Sequence, residues 1–170
     1  MKLPAGIAVL LCAALALSGC SHYQLGHDGD VSFRTLFVAP VHSDVSLPQA
    51  QAILTSAVRE AFSRDGRVQL AGEAGGADAV LALTVIEYRR DTTVARADDT
   101  GLARRFDLVL RARATLTNRR TGQALFTDRV LEAKRGAFTD SGQLQSEYQA
   151  LPLLADDLAK AALRASLDTW

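Results

Sequence analysis

The spacing of apolar residues along this chain switches between two periods, and each switch marks a predicted element. The cleanest alternation runs over residues 106–117, where Phe106, Leu108, Leu110, Ala112, Ala114 and Leu116 share one parity and Asp107, Val109, Arg111, Arg113, Thr115 and Thr117 the other. Successive side chains of a strand point to opposite faces, so this pattern predicts one face on a core and one toward water or a partner. Before it, residues 79–90, AVLALTVIEYRR, predict a long strand with Leu81, Leu83 and Val85 on one face and Ala82, Thr84 and Ile86 on the other. After it, residues 118–123, NRRTGQ, carry turn residues and lead into a strand over 124–134, which predicts a hairpin with a basic loop. Residues 33–41, FRTLFVAPV, are aromatic and β-branched and close on a proline, predicting a first strand, and residues 68–70 predict a short second one.

Two stretches keep the helical period instead. Ala50, Ile53, Leu54, Ala57, Val58, Ala61 and Phe62 recur at i, i+3, i+4, i+7, which places them on one stripe of an amphipathic helix. Ser46 is its candidate N-cap, Pro48 falls in its first turn, and Gly66 supplies the left-handed residue that ends it. Near the end of the chain, after a polar segment over 135–145, Leu151, Leu154, Ala155, Leu158, Ala162 and Ala165 form a second stripe, with Pro152 read as a first-turn residue. Residues 42–46, 72–76 and 91–103 read as connections, the last a polar exposed loop. The order strand, helix, short strand, long strand, hairpin, helix predicts an α+β fold, a mixed β-sheet of four to five strands with two α-helices packed on one face. No internal repeat or low-complexity tract interrupts it.

The first residues add a compartment. Lys2 precedes an apolar run over residues 6–17, the length of a signal-peptide core and too short for a bilayer span, and Leu17-Ser18-Gly19-Cys20 follows as a lipobox. The expected organisation is a lipoprotein signal peptide over 1–19, a lipidated tether over 20–30 and one domain over 31–170. Cys20 is the nucleophile placed to accept diacylglycerol, with fatty acids such as palmitate; the alternative is an ordinary secretory signal with a cysteine at its cleavage site. Each buried CH₂ contributes roughly 0.8 kcal/mol, so several chains hold a domain on a membrane durably. Ser21, by similarity to lipoproteins of Gram-negative bacteria, points to the outer membrane. Once Cys12 has left with the signal, Cys20 is the sole cysteine, and no disulfide forms within the mature chain.

Charge narrows the chemistry. Nineteen basic and nineteen acidic residues leave the chain neutral, so no general attraction to nucleic acid is implied and only local clusters recruit anions. One such cluster is Arg104, Arg105, Arg111, Arg113, Arg119 and Arg120, set against Asp107 alone in the hairpin region. Guanidinium forks pair phosphates bidentately, which makes these residues candidate phosphate ligands. The competing reading is that they solvate the outer face of the hairpin or pair with acids of a neighbouring strand; Arg119 and Arg120, in the turn, are the freest. Catalysis is not expected. His22 and His27 lie in the tether and His42 in a loop, Asp98-Asp99 and Asp156-Asp157 are adjacent pairs with diverging side chains, and no hydrolase, metalloprotease or phosphate-loop motif is present. Neither a metal nor another cofactor is expected.

Taken together, the lipobox LSGC, the strand TLFVAPV, the helix segment LTSAVREAFSRDGRVQL, the strand ADAVLALTVIEYRR and the strand-turn-strand LRARATLTNRRTGQALFTDRV resemble the LptE family of outer-membrane lipopolysaccharide-assembly lipoproteins. Departures fall at His42-Ser43-Asp44-Val45, where members often carry an asparagine-containing stretch, and at Leu81-Ala82-Leu83, where a glycine is common. The resemblance implies a periplasm-facing domain, lipid-anchored in the outer membrane, that plugs the LptD β-barrel, assists its folding, and helps insert lipopolysaccharide into the outer leaflet. It also implies lipopolysaccharide phosphates as ligands of the arginine cluster. The alternative is another non-catalytic lipoprotein adaptor, such as a peptidoglycan synthase activator or a secretion-complex subunit. A short tether favours the plug.

Overall fold

The computed structural model describes residues 32–47, 49–92, 105–138 and 143–168. In chain order they form β1 (Thr35–Val38), β2 (His42–Ser43), α1 (Ala50–Asp65), β3 (Gln69–Leu70), β4 (Ala79–Thr92), β5 (Arg105–Asn118), β6 (Ala124–Phe138) and α2 (Gln143–Leu167). The strands make one mixed sheet in the order β3-β1-β4-β5-β6, with β2 also paired to β4. β1 runs parallel to β3 and β4, whereas β4, β5 and β6 form an antiparallel meander.

Both helices lie on one face of this sheet, α1 over β1 and β3, α2 over β6 and β5, and they pack on each other. Leu54, Val58 and Phe62 of α1 meet Leu36 and Val38 of β1, Leu81 and Val85 of β4, Leu108, Leu110 and Leu116 of β5, and Leu154 and Leu158 of α2 in one buried cluster. Each such side chain contributes about 1.5–3 kcal/mol by leaving water. Polar ties hold α1 to the strand it follows. The Thr55 hydroxyl accepts the Val41 N–H at 2.9 Å, and the Arg59 guanidinium donates to the Val38 carbonyl at 3.0 Å. At the carboxyl end of α1 the Gly66 N–H donates to the Phe62 carbonyl with Gly66 at φ 75°, the left-handed stop expected there.

The predicted fold class holds, with local corrections. The first strand is shorter than residues 33–41 because Pro40 has no N–H to give the ladder. Beyond it the chain rejoins β4 as β2, where a loop was expected, so β1 and β2 lie end to end along one side of β4: Leu36 to Val38 face Ala79 to Leu81, then His42 and Ser43 face Thr84 and Val85. The residue before α1 is Gln49, left-handed at φ 64° and without a side-chain cap, so Ser46 does not cap the helix; Pro48 lies outside the described residues. Residues 74–76 form a 3₁₀ turn within the expected link. β5 and β6 run longer than predicted, and the end of β6 with the start of α2 takes up most of the polar 135–145 segment. Pro152 sits well inside α2, not in its first turn, on the solvent side beside the exposed Leu153.

A β-bulge between Val85 and Glu87 changes which side chains of β4 face the helices. Before it the odd residues Ala79, Leu81, Leu83 and Val85 are buried; after it the even residue Tyr88 joins the core and Arg90 reaches Glu147 of α2 at 2.9 Å. The Tyr88 hydroxyl donates to the same carboxylate at 3.4 Å, and burial followed by that negative charge pushes its pKa up to about 12.

Candidate functional site

The sheet face turned away from the helices carries the polar parity of β5. Arg111 stands between strands that each supply an acid: its Nε donates to Glu132 of β6 at 2.6 Å and its Nη1 to Glu87 of β4 at 3.2 Å. Arg89 bridges Glu87 and Asp91 at 3.0 and 3.1 Å, Lys134 meets Asp107 at 3.1 Å, and Arg113 reaches Asp44 at 3.4 Å, with His42 3.6 Å from the same carboxylate. The hydrogen bond to Glu132, and then the charges of Glu132 and Glu87, hold the Arg111 pKa above its ordinary value. Val109, on the face expected to meet water or a partner, is only 1% exposed. Its cross-strand neighbours are Arg89 and Lys134, long side chains of the kind that shield an apolar residue with their stems and keep the charged ends in water. The face is a self-neutralised mesh of charge over a small apolar floor.

The β5–β6 turn is built differently. Asn118, 8% exposed, takes the Arg120 and Thr121 N–H groups on its side-chain oxygen at 2.9 and 3.2 Å, and Gly122, at φ 71°, closes the turn by donating to the Asn118 carbonyl. Asp78, just before β4, then ties this turn to β1. Its carbonyl accepts the Arg119 N–H at 2.7 Å, and one carboxylate oxygen accepts the Arg34 and Thr35 N–H groups, each at 3.0 Å. Those two backbone bonds hold the Asp78 pKa below its ordinary value, with the Arg120 charge adding to them. Three arginines are thus neighbours of Asp78, Arg34 and Arg119 through their backbone N–H groups and Arg120 through its side chain. Arg120 is 3.8 Å from the carboxylate with a 70% exposed side chain, and among the described residues Arg34 and Arg119 are exposed and their guanidinium groups meet no acid.

The six arginines singled out in the sequence are thus not one site. Arg111 and Arg113 belong to the mesh, and Arg119 and Arg120 to the tip. Arg105 opens β5 at its opposite end, about 45 Å away along a 14-residue strand, and Arg104 lies outside the described residues, as does Cys20. Arg34 was missed. No local signal in Ser32-Phe33-Arg34-Thr35 marks it, because its place depends on a carboxylate 44 residues away.

Exposed guanidinium groups that meet no acid can grip phosphate or another anion, whereas the basic side chains of the mesh already face carboxylates. Among the described residues no group of three His, Cys, Asp or Glu side chains is placed to hold a metal ion, and no helix is long and apolar enough to cross a membrane.

The sequence model of the family described as LptE, Lipopolysaccharide-assembly, matches residues 33–166. A comparison with curated proteins gives no match. Among solved structures, a minor lipoprotein from Acinetobacter baumannii superposes with TM-score 0.51 at 19% identity, over 81% of this chain and 93% of that one. A hypothetical protein from Chlamydia trachomatis gives 0.52 at 13% identity, over 78% and 94%. PelC from Paraburkholderia phytofirmans, a dodecamer, gives 0.50 at 18% identity, over 81% and 89%. At such identities these likenesses speak for the fold alone.

Proposed function

The chain belongs to the LptE lipopolysaccharide-assembly family, and we propose that it is an outer-membrane lipoprotein that sits as a plug in an LptD-type β-barrel and assists the insertion of lipopolysaccharide into the outer leaflet. In this reading residues 1–19 are removed as a signal, Cys20 carries the acyl chains, residues 20–30 are the tether, and the domain over 31–170 faces the periplasm. The tip carries the reading: Arg34, Arg119 and Arg120 are exposed around Asp78 and suit the phosphates of lipid A and the inner core. The mesh supports it from another side. A barrel lumen is polar and wet, and a charged sheet face whose charges are already paired can lie in it without leaving unmatched ions. The chain is asked to bind and position, not to make or break covalent bonds.

The test is recovery of the tagged full-length protein from solubilised outer membranes, with mass spectrometry of what accompanies it. A large β-barrel protein in equimolar amount, resistant to high salt, is the expected result. A peptidoglycan synthase or secretion-complex subunits in its place would overturn the plug. Cys20→Ala is expected to release the domain from the membrane fraction, and retention in membranes would refute the anchor.

A further inference from the structure

The sheet ends in two unlike edges. β3 is two residues long, the short edge by which proteins avoid unwanted pairing, whereas β6 runs for 15 residues with no proline. Its irregularity is confined near the turn, where Asp128 is left-handed at φ 50° and the register with β5 shifts. From Arg129 to Phe138 the ladder to β5 is regular, and among the described residues no backbone partner lies on the outer side.

The direction of the free groups follows from the pairing. The Leu81 and Val85 carbonyls accept from Ala39 and Asp44, so these odd residues of β4 bond away from β5, and the even residues paired with Arg113, Thr115 and Thr117 bond toward it. Backbone groups alternate along a strand, hence the even residues of β5 bond to β6, and their partners are Arg129, Leu131, Ala133, Arg135 and Ala137. The N–H and C=O groups of Val130, Glu132, Lys134 and Gly136 therefore point outward. Their side chains leave the way open. Val130 is 57% exposed, and Glu132 and Lys134 are already neutralised by Arg111 and Asp107.

The helix layer decides what can add to this edge. α2 lies more over β6 than over β5, pinned there by Arg135 to Asp157 at 2.8 Å and by Arg129 to the Ala165 carbonyl at 3.0 Å. An added strand would lie about 4.8 Å from β6, whereas two packed helices need about 8–10 Å between axes. A second copy, bringing its own α2 to the same face, does not fit unless the two helices clear each other. A bare strand does, and beside the edge a notch of about 400 Å³ between Arg129 and the α2 residues Ala161, Arg164, Ala165 and Asp168 leaves room for a small side chain on its helix side. We propose that the outer edge of β6 from Val130 to Gly136 is a strand-addition site that takes an extended segment of a partner protein, antiparallel and uncovered on its helix side. It does not depend on the plug reading.

A synthetic peptide copying residues 129–138, RVLEAKRGAF, is a suitable probe. Paired antiparallel about Ala133 it sets lysine against glutamate in both directions and an alanine opposite Arg129. Added at millimolar concentration to the detergent-solubilised full-length protein, it is expected to slow amide exchange at Val130, Glu132, Lys134 and Gly136 by about tenfold. Val130→Pro, which removes an outward N–H and no internal bond, should abolish the effect, and Val130→Thr should keep it. On the unaltered protein, N-methylation of the peptide at its Glu132 and Lys134 should abolish it too, while N-methylation at Leu131 and Ala133 should not. Unchanged exchange, or equal slowing by the peptide blocked at Glu132 and Lys134, would overturn the site. The same protection arising from the protein's own concentration, with dimers in sedimentation, would overturn the choice of a bare strand over a second copy.

Discussion

Arg111 and Arg119 stand on the same hairpin and have opposite fates. Arg111 is mid-strand, with a strand on either side about 4.8 Å away, and each neighbour places an acid within hydrogen-bond reach. Arg119 is one residue past the end of β5, where the neighbouring strands have stopped; Asp78 takes its backbone N–H, and the carboxylate of Asp78 is engaged by the N–H groups of Arg34 and Thr35. Whether an arginine in a sheet protein is spent on its own fold or kept for a ligand is decided here by whether a cross-strand partner exists.

The largest expected effect comes from breaking the tip. Replacing Arg34, Arg119 and Arg120 together with Ala should weaken lipopolysaccharide binding by about tenfold or more at moderate salt while leaving the unfolding transition in place, read by binding titration and thermal melting. Unchanged binding across several salt concentrations would show that the tip is not the phosphate site. Breaking the mesh should do the reverse. Arg111→Ala leaves Glu87 and Glu132 facing one another across β5, so the melting temperature should fall while binding stays unchanged, and adding Glu132→Ala should recover part of the loss. A subtler probe is pH. Because the Asp78 pKa is depressed on folding, its contribution is complete above the ordinary carboxylate value and is lost as pH falls through the depressed one. The Arg34 and Thr35 amide resonances should move together in that acid window, and Asp78→Asn should remove the transition.

Much of this was legible from spacing alone. The alternation over 106–117 predicted the buried face of β5 residue by residue, and the helical stripe over 50–62 predicted the buried face of α1, because both periods are imposed by backbone geometry. What escaped depended on distant neighbours. Two residues, His42 and Ser43, have no strand signal of their own and are extended because β4 offers them a free edge. The bulge after Val85 reversed the alternation expected along β4, so that Tyr88 turns to the core, and Val109 is dry where Arg89 and Lys134 flank it. In the same way composition could gather six arginines into one cluster, but only the pairing of β1 and β4 brings Arg34 to the tip and only the strands on either side neutralise Arg111.

The meander of β4, β5 and β6 has a consequence for the order of assembly. Its three strands follow one another in the chain, so each can pair with the one just before it, whereas the parallel contact of β1 with β4 joins Leu36 to Ala79 and must close a much longer loop. Folding is therefore expected to begin in the carboxyl-terminal part of the domain, with the three-stranded ribbon and α2 forming a platform that the first strand and α1 join late. Substitutions at Leu110 should then slow folding, while those at Leu36 should chiefly speed unfolding. The tip, which needs Asp78 to grip the start of β1, would be the last part of the domain to become ordered.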